Sequence, residues 1–122
     1  MLEGCRIFLV ENEFMLAQEF QYELEAAGAV VLGPEPSVHR GLARMRDQLR
    51  IDAAVLDVNP DGERVLPVAD ALLARRVPFL FTSGYEDMVV LDRYHGMTKC
   101  DKPIDTRGLF KALDRLVASD RA

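Results

Sequence analysis

The sequence lacks a basic excess, a long apolar run and a cysteine framework, and each absence removes a class of function. Its 122 residues carry 15 Lys and Arg against 20 Asp and Glu, a formal charge of −5. Broad binding to a phosphate backbone needs clustered cations, so nucleic acid is not an expected partner. No apolar stretch approaches the ~20 residues that cross a bilayer, so no membrane association is expected. The opening Met1-Leu2-Glu3-Gly4-Cys5-Arg6 places an acid before a short apolar run, which is not a secretory signal. Cys5 and Cys100 are too few to staple a small secreted fold and are spaced for no metal site. Six prolines and eight glycines are too few for a linker or a disordered tail, and no repeat or low-complexity segment occurs. What remains is a single cytoplasmic domain over residues 1–122, large enough to bury roughly two-thirds of its unfolded surface.

Against these absences stands a clear alternation of apolar patterns. Ile7-Phe8-Leu9-Val10 is a short apolar run ending in Glu11-Asn12-Glu13, and such runs predict parallel strands covered on both faces. Leu16, Phe20, Leu24 and Ala27 then recur at helical spacing, with Gly28 as a stop. Ala29 to Leu32 predicts a second strand, closed by Gly33-Pro34. Ser37 is placed to cap a helix with Val38, Leu42, Met45 and Leu49 on its apolar stripe. Ala53 to Leu56 predicts a third strand ending in Asp57, and Asn59-Pro60-Asp61-Gly62 is turn chemistry. Pro67 suits the first turn of a helix carrying Val68, Ala71 and Leu72. Pro78 to Phe81 predicts a fourth strand, ending in Thr82-Ser83-Gly84. A weak helix around Met88 to Tyr94 and a poor strand near Met97 to Cys100 follow. Asp105 then caps a last helix with Leu109, Leu113, Leu116 and Val117 buried.

Five strand-then-helix units imply an α/β fold, a parallel sheet with helices on both faces. Ligands of such sheets lie beyond the carboxyl ends of the strands. The residues there are Glu11, Asn12 and Glu13 after the first strand, Asp57 after the third, Ser83 after the fourth and Lys102 after the fifth. Clustered carboxylates repel unless a cation neutralises them, and hard oxygen ligands suit Mg²⁺. Lys102 can hold an anionic oxygen and Ser83 can donate to it. That set favours phosphoryl transfer onto a carboxylate, where positioning and charge neutralisation do most of the chemistry. Asp57, at the end of the central strand, is the best-placed nucleophile.

Taken singly, each residue has a plainer reading. A strand-end Asp often only caps a turn. Glu11 and Glu13 suit a solvated helix start, and an isolated Lys102 suits the surface. Placement at four different strand ends is what the plainer readings explain poorly. A phosphate-handling hydrolase or flavin-binding protein of similar topology is disfavoured, because Glu11-Asn12-Glu13 replaces the Gly- or Ser/Thr-rich phosphate cradle.

In order and spacing, Val10-Glu11-Asn12-Glu13, Leu56-Asp57-Val58-Asn59, Phe81-Thr82-Ser83-Gly84-Tyr85 and Lys102-Pro103 resemble the receiver domain of two-component response regulators, CheY-like, from about Arg6 to Val117. Leu56 to Asn59, Pro67 to Leu72 and Pro78 to Phe81 further resemble a stand-alone receiver type of alphaproteobacteria. The resemblance implies a three-layer (βα)5 flavodoxin-like fold with a five-stranded parallel sheet of order 2-1-3-4-5. It implies a phosphoprotein of phosphorelay signal transduction, not an enzyme. Asp57 is the implied phosphoacceptor, served by a sensor histidine kinase or a histidine phosphotransfer protein. Glu11, Asn12, Asp57 and the Asn59 backbone carbonyl would hold Mg²⁺, Ser83 and Lys102 would bind the phosphoryl group, and Lys102–Pro103 would be a cis bond near the site.

Two departures qualify the match. Asn12 stands where the family usually has an aspartate, which removes one charge from the metal site. Lys99 stands where many receivers carry an aromatic switch, a role Tyr85 could share in part. No output module is expected beyond the last helix, and output is expected through protein contact, including a possible homodimer. A receiver-like interaction module acting without phosphorylation is the alternative.

Overall fold

The computed structural model describes residues 2–48, 50–58, 60, 64–83, 99–101 and 105–121. Its strands are β1 (Arg6–Val10), β2 (Val30–Glu35), β3 (Ala53–Asp57), β4 (Phe79–Ser83) and β5 (Lys99–Asp101). Its helices are α1 (Phe14–Ala26), α2 (Val38–Arg46), α3 (Leu66–Ala74) and α4 (Thr106–Arg121). The strands form one sheet in the order β2-β1-β3-β4-β5, and all four pairings are parallel. The expected order is therefore found, whereas the helix expected around Met88 to Tyr94 lies outside the described residues.

Alternation along the strands divides the core in two. Phe8, Val10, Ala54, Leu56, Phe79 and Phe81 face Val38, Met45, Val68 and Leu72 of α2 and α3. Ile7, Leu9, Ala53, Val55 and Leu80 face Phe20 and Leu24 of α1 and Leu109, Leu113 and Val117 of α4. Every residue of β3 is buried, as expected for the middle strand of a doubly covered sheet. The expected caps are present: Ser37 Oγ accepts from Arg40 N (3.2 Å), and Asp105 Oδ1 accepts from Arg107 N (3.1 Å).

Several boundaries differ from expectation: β3 takes in Asp57 and β4 takes in Thr82 and Ser83 at their carboxyl ends, and three further differences follow. β2 does not close at Gly33-Pro34 but continues through a cis Gly33–Pro34 bond to Glu35. It is an edge strand, so the missing proline N–H costs no ladder bond. The pairing shifts from Phe8↔Leu32 to Val10↔Glu35, so two residues of β2 oppose Leu9 alone in a bulge. Gly33 meets this with φ +113, and a Cβ there would lie 2.7 Å from Leu9 O. Helix α2 stops at Arg46, three residues short of Leu49. The Arg75 guanidinium donates to Met45 O (2.9 Å) and Gln48 O (2.6 Å), satisfying carbonyls at that end. β5 reaches one residue further than expected, to Asp101.

Candidate functional site

The carboxyl edge of the sheet is built strand by strand. Val10 pairs with Leu56, so Glu11 and Asp57 leave neighbouring strands at the same level, about 4.8 Å apart in backbone spacing. Both carboxylates are buried, Glu11 at 2% exposure and Asp57 at 5%. The chain holds Glu11 from two sides. Its N–H donates to Glu35 O (3.0 Å), which the continued β2 delivers, and its Oε2 accepts from Glu13 N (3.1 Å) at the start of α1. Glu13 itself is exposed at the N-cap of α1, where its carbonyl accepts from Ala17 N (2.8 Å). That matches the plainer reading of Glu13 as a helix-start charge.

Asn12 is exposed, and its Nδ2 donates to Pro36 O (3.3 Å) in the turn after β2. An aspartate has no proton to make that bond at neutral pH. On the other flank, Asp57 pairs with Thr82, Thr82 with Cys100, and Ser83, the last residue of β4, with Asp101. Lys102, Pro103, Asn59 and Tyr85 lie outside the described residues. Lys99 opens β5 opposite Phe81.

Two buried carboxylates side by side repel each other, and a cation among them relieves that repulsion. Among the described residues, no group of three or more His, Cys, Asp and Glu side chains stands together as a metal site. A cation at this rim would therefore draw on two carboxylates supplemented by neutral oxygens and water. That is the donor set Mg²⁺ accepts, so the residues present fit the metal.

Sequence reasoning did not find the part played by the β2 extension. Glu35 and Pro36 offer backbone carbonyls, which carry no sequence signal, and Gly33-Pro34 before them reads as a stop. Thr82, beside Ser83, does carry a sequence signal, a hydroxyl in an otherwise apolar strand. Among the described residues no helix is long and apolar enough to cross a membrane.

No family model matches the sequence, and no curated protein matches it. Solved structures do. The chain is similar to SdrG from Sphingomonas melonis Fr1, with 38% identity over 96% of this chain and 99% of that one and a TM-score of 0.82. A response regulator receiver protein from Sinorhizobium medicae WSM419 is 24% identical over 95% of this chain and 96% of that one, with a TM-score of 0.78. A CheY-like receiver domain protein from Methanospirillum hungatei JF-1 is 18% identical over 98% of each chain, with a TM-score of 0.84. With this sheet order, this acidic edge and a relative at that identity over nearly its full length, the chain belongs to the receiver-domain family of response regulators.

Proposed function

We propose that the protein accepts a phosphoryl group on Asp57 from a sensor histidine kinase or a histidine phosphotransfer protein and signals through protein contact. The observation that carries this reading is the burial of Asp57 beside Glu11 at the carboxyl end of the central strand. In the step, an Asp57 carboxylate oxygen forms a bond to phosphorus while the phosphorus–nitrogen bond to the donor histidine breaks. The imidazole leaves with the electron pair. Glu11, Asn12, Asp57 and the Asn59 carbonyl would hold Mg²⁺, which when bound neutralises charge on the transferring phosphoryl group. Ser83 and Lys102 are assigned to the phosphoryl oxygens on the family resemblance.

The docking partner has a ready surface. Phe14, Met15 and Tyr22 are exposed on α1, within about 100° of one another around the helix. Phe14 and Met15 open that helix directly after the acidic rim. Exposed apolar groups clustered beside a reactive edge favour a protein partner over a small ligand.

The second reading, an interaction module working without phosphorylation, draws on Asn12, whose amide replaces a charge and is tied to Pro36 O. Intact-mass measurement after incubation with acetyl phosphate and Mg²⁺ separates the two. One added phosphoryl group, absent in Asp57→Ala, is expected. An unchanged mass for the wild-type chain would favour the second reading.

A further inference from the structure

Thr82 is fully buried at 0% exposure, and its Oγ1 has no hydrogen-bond partner among the described residues. Withdrawing a hydroxyl from water without giving it a partner is destabilising. Its shape does not require the oxygen, because valine has the same branching and suits a strand at least as well. The backbone around it is committed, with Val58 N donating to Thr82 O (3.1 Å).

The position of this hydroxyl is specific. Thr82 is the ladder partner of Asp57. Two residues earlier, Val55 and Leu80 are partners and lie in the same core against α1 and α4. With side chains alternating along each strand, Asp57 and Thr82 share that face as well. A strand spacing of about 4.8 Å leaves the hydroxyl within reach of the neighbouring carboxyl group once that group turns.

We infer that Thr82 is a hydrogen-bond donor reserved for the acyl group of phosphorylated Asp57. The inference rests on Asp57 being the phosphoacceptor. On transfer, one Asp57 carboxylate oxygen becomes the bridge to phosphorus, while the other becomes the carbonyl oxygen of a mixed anhydride. That carbonyl oxygen has two lone pairs, so one stays free to accept a hydrogen bond beside any it gives a metal, and Thr82 lies beside it with a proton to give. A donor idle in one state and engaged in the other shifts the equilibrium toward the second by its differential interaction. Thr82 would thereby favour the phosphorylated form from the acyl side, separately from the phosphoryl-oxygen contacts assigned to Ser83 and Lys102.

The test uses the whole chain with Mg²⁺ and beryllofluoride, a phosphoryl mimic that bonds to a carboxylate oxygen. Wild type, Thr82→Val, Thr82→Ser, Thr82→Ala and Asp57→Ala are titrated by amide NMR and melted without the mimic. Thr82→Val should melt at or above wild type, because the idle hydroxyl is gone, and should need about fivefold more mimic for half-saturation, the loss of one neutral hydrogen bond. Thr82→Ala should show the same weakening with a lower melting point, and Thr82→Ser should stay near wild type. Equal half-saturation of wild type and Thr82→Val would overturn the inference, as would Thr82→Ser behaving like Thr82→Val. If wild type bound the mimic no better than Asp57→Ala, the phosphoacceptor reading itself would fall, and this inference with it.

Discussion

The two ends of the sheet handle charge in opposite ways. At the amino ends, each polar group in a small network meets a complementary one near the surface. Arg6 N donates to Asp52 Oδ2 (2.8 Å), Arg6 Nε to Arg50 O (2.9 Å) and Arg6 Nη2 to Gln48 Oε1 (2.6 Å). Arg50 pairs with Asp52 (3.0 Å), and its hydrogen bond to that carboxylate, helped by the opposite charge, raises its pKa. At the carboxyl ends, two carboxylates of the same sign are buried on adjacent strands beside a buried hydroxyl. The first arrangement fastens strands together. The second gathers two carboxyl groups whose mutual repulsion a bound cation would relieve, so a stability role belongs to one end and the proposed functional role to the other.

Substitutions can sharpen or break that division. The largest effect is expected from Gly33→Ala, which drives a Cβ into Leu9 O and Glu35 N at a positive φ. A loss of about 3 kcal/mol in urea unfolding is expected, combining backbone strain with a steric clash. Mg²⁺ binding should weaken with it, because Glu35 O holds Glu11 N. Asp52→Ala removes the acceptor for Arg6 N and Arg50 at the opposite end. It should cost about 1–2 kcal/mol of stability while leaving acetyl-phosphate labelling of the folded protein unchanged. A change in labelling there would break the division.

Asn12→Asp acts on the functional end. It adds a third negative charge and loses the bond to Pro36 O, so apo stability should fall, while Mg²⁺ affinity should rise on the order of tenfold, about 1.4 kcal/mol. Calorimetric titration and melts with and without Mg²⁺ read both. Unchanged affinity would place residue 12 away from the metal. The smallest effect is expected from Arg76→Gly. Arg76 follows α3 with φ +58, a conformation that favours glycine, and its replacement should stabilise by about 0.5–1 kcal/mol with labelling unaffected.

The same contrast explains how much of the molecule was legible in its sequence. The strands of the inner sheet are short apolar runs, and a run such as Ala53 to Leu56 has few other uses, so the parallel sheet and the place of Asp57 could be read directly, whereas the strand order followed only from the family resemblance. Buried carboxylates at strand ends were legible because they interrupt those runs. The β2 extension was not, since Gly33-Pro34 is ordinary turn vocabulary and only its edge position and the bulge opposite Leu9 let it remain in the sheet. With it went the carbonyls of Glu35 and Pro36 that hold Glu11 and Asn12. The early end of α2 was missed for a related reason: Arg75, thirty residues from Met45, supplies the capping donors, and local pattern does not register such a distant partner.

The most direct measurement is to locate the phosphoryl group after transfer from a histidine-containing donor or acetyl phosphate in Mg²⁺. Borohydride reduction of the acyl phosphate, followed by proteolysis and mass spectrometry, marks the acceptor carboxylate. The account predicts one modified residue, Asp57, with the mark lost in Asp57→Ala and retained in Asp52→Ala. Modification at another carboxylate, or an unmarked Asp57 in protein shown to be phosphorylated, would contradict it.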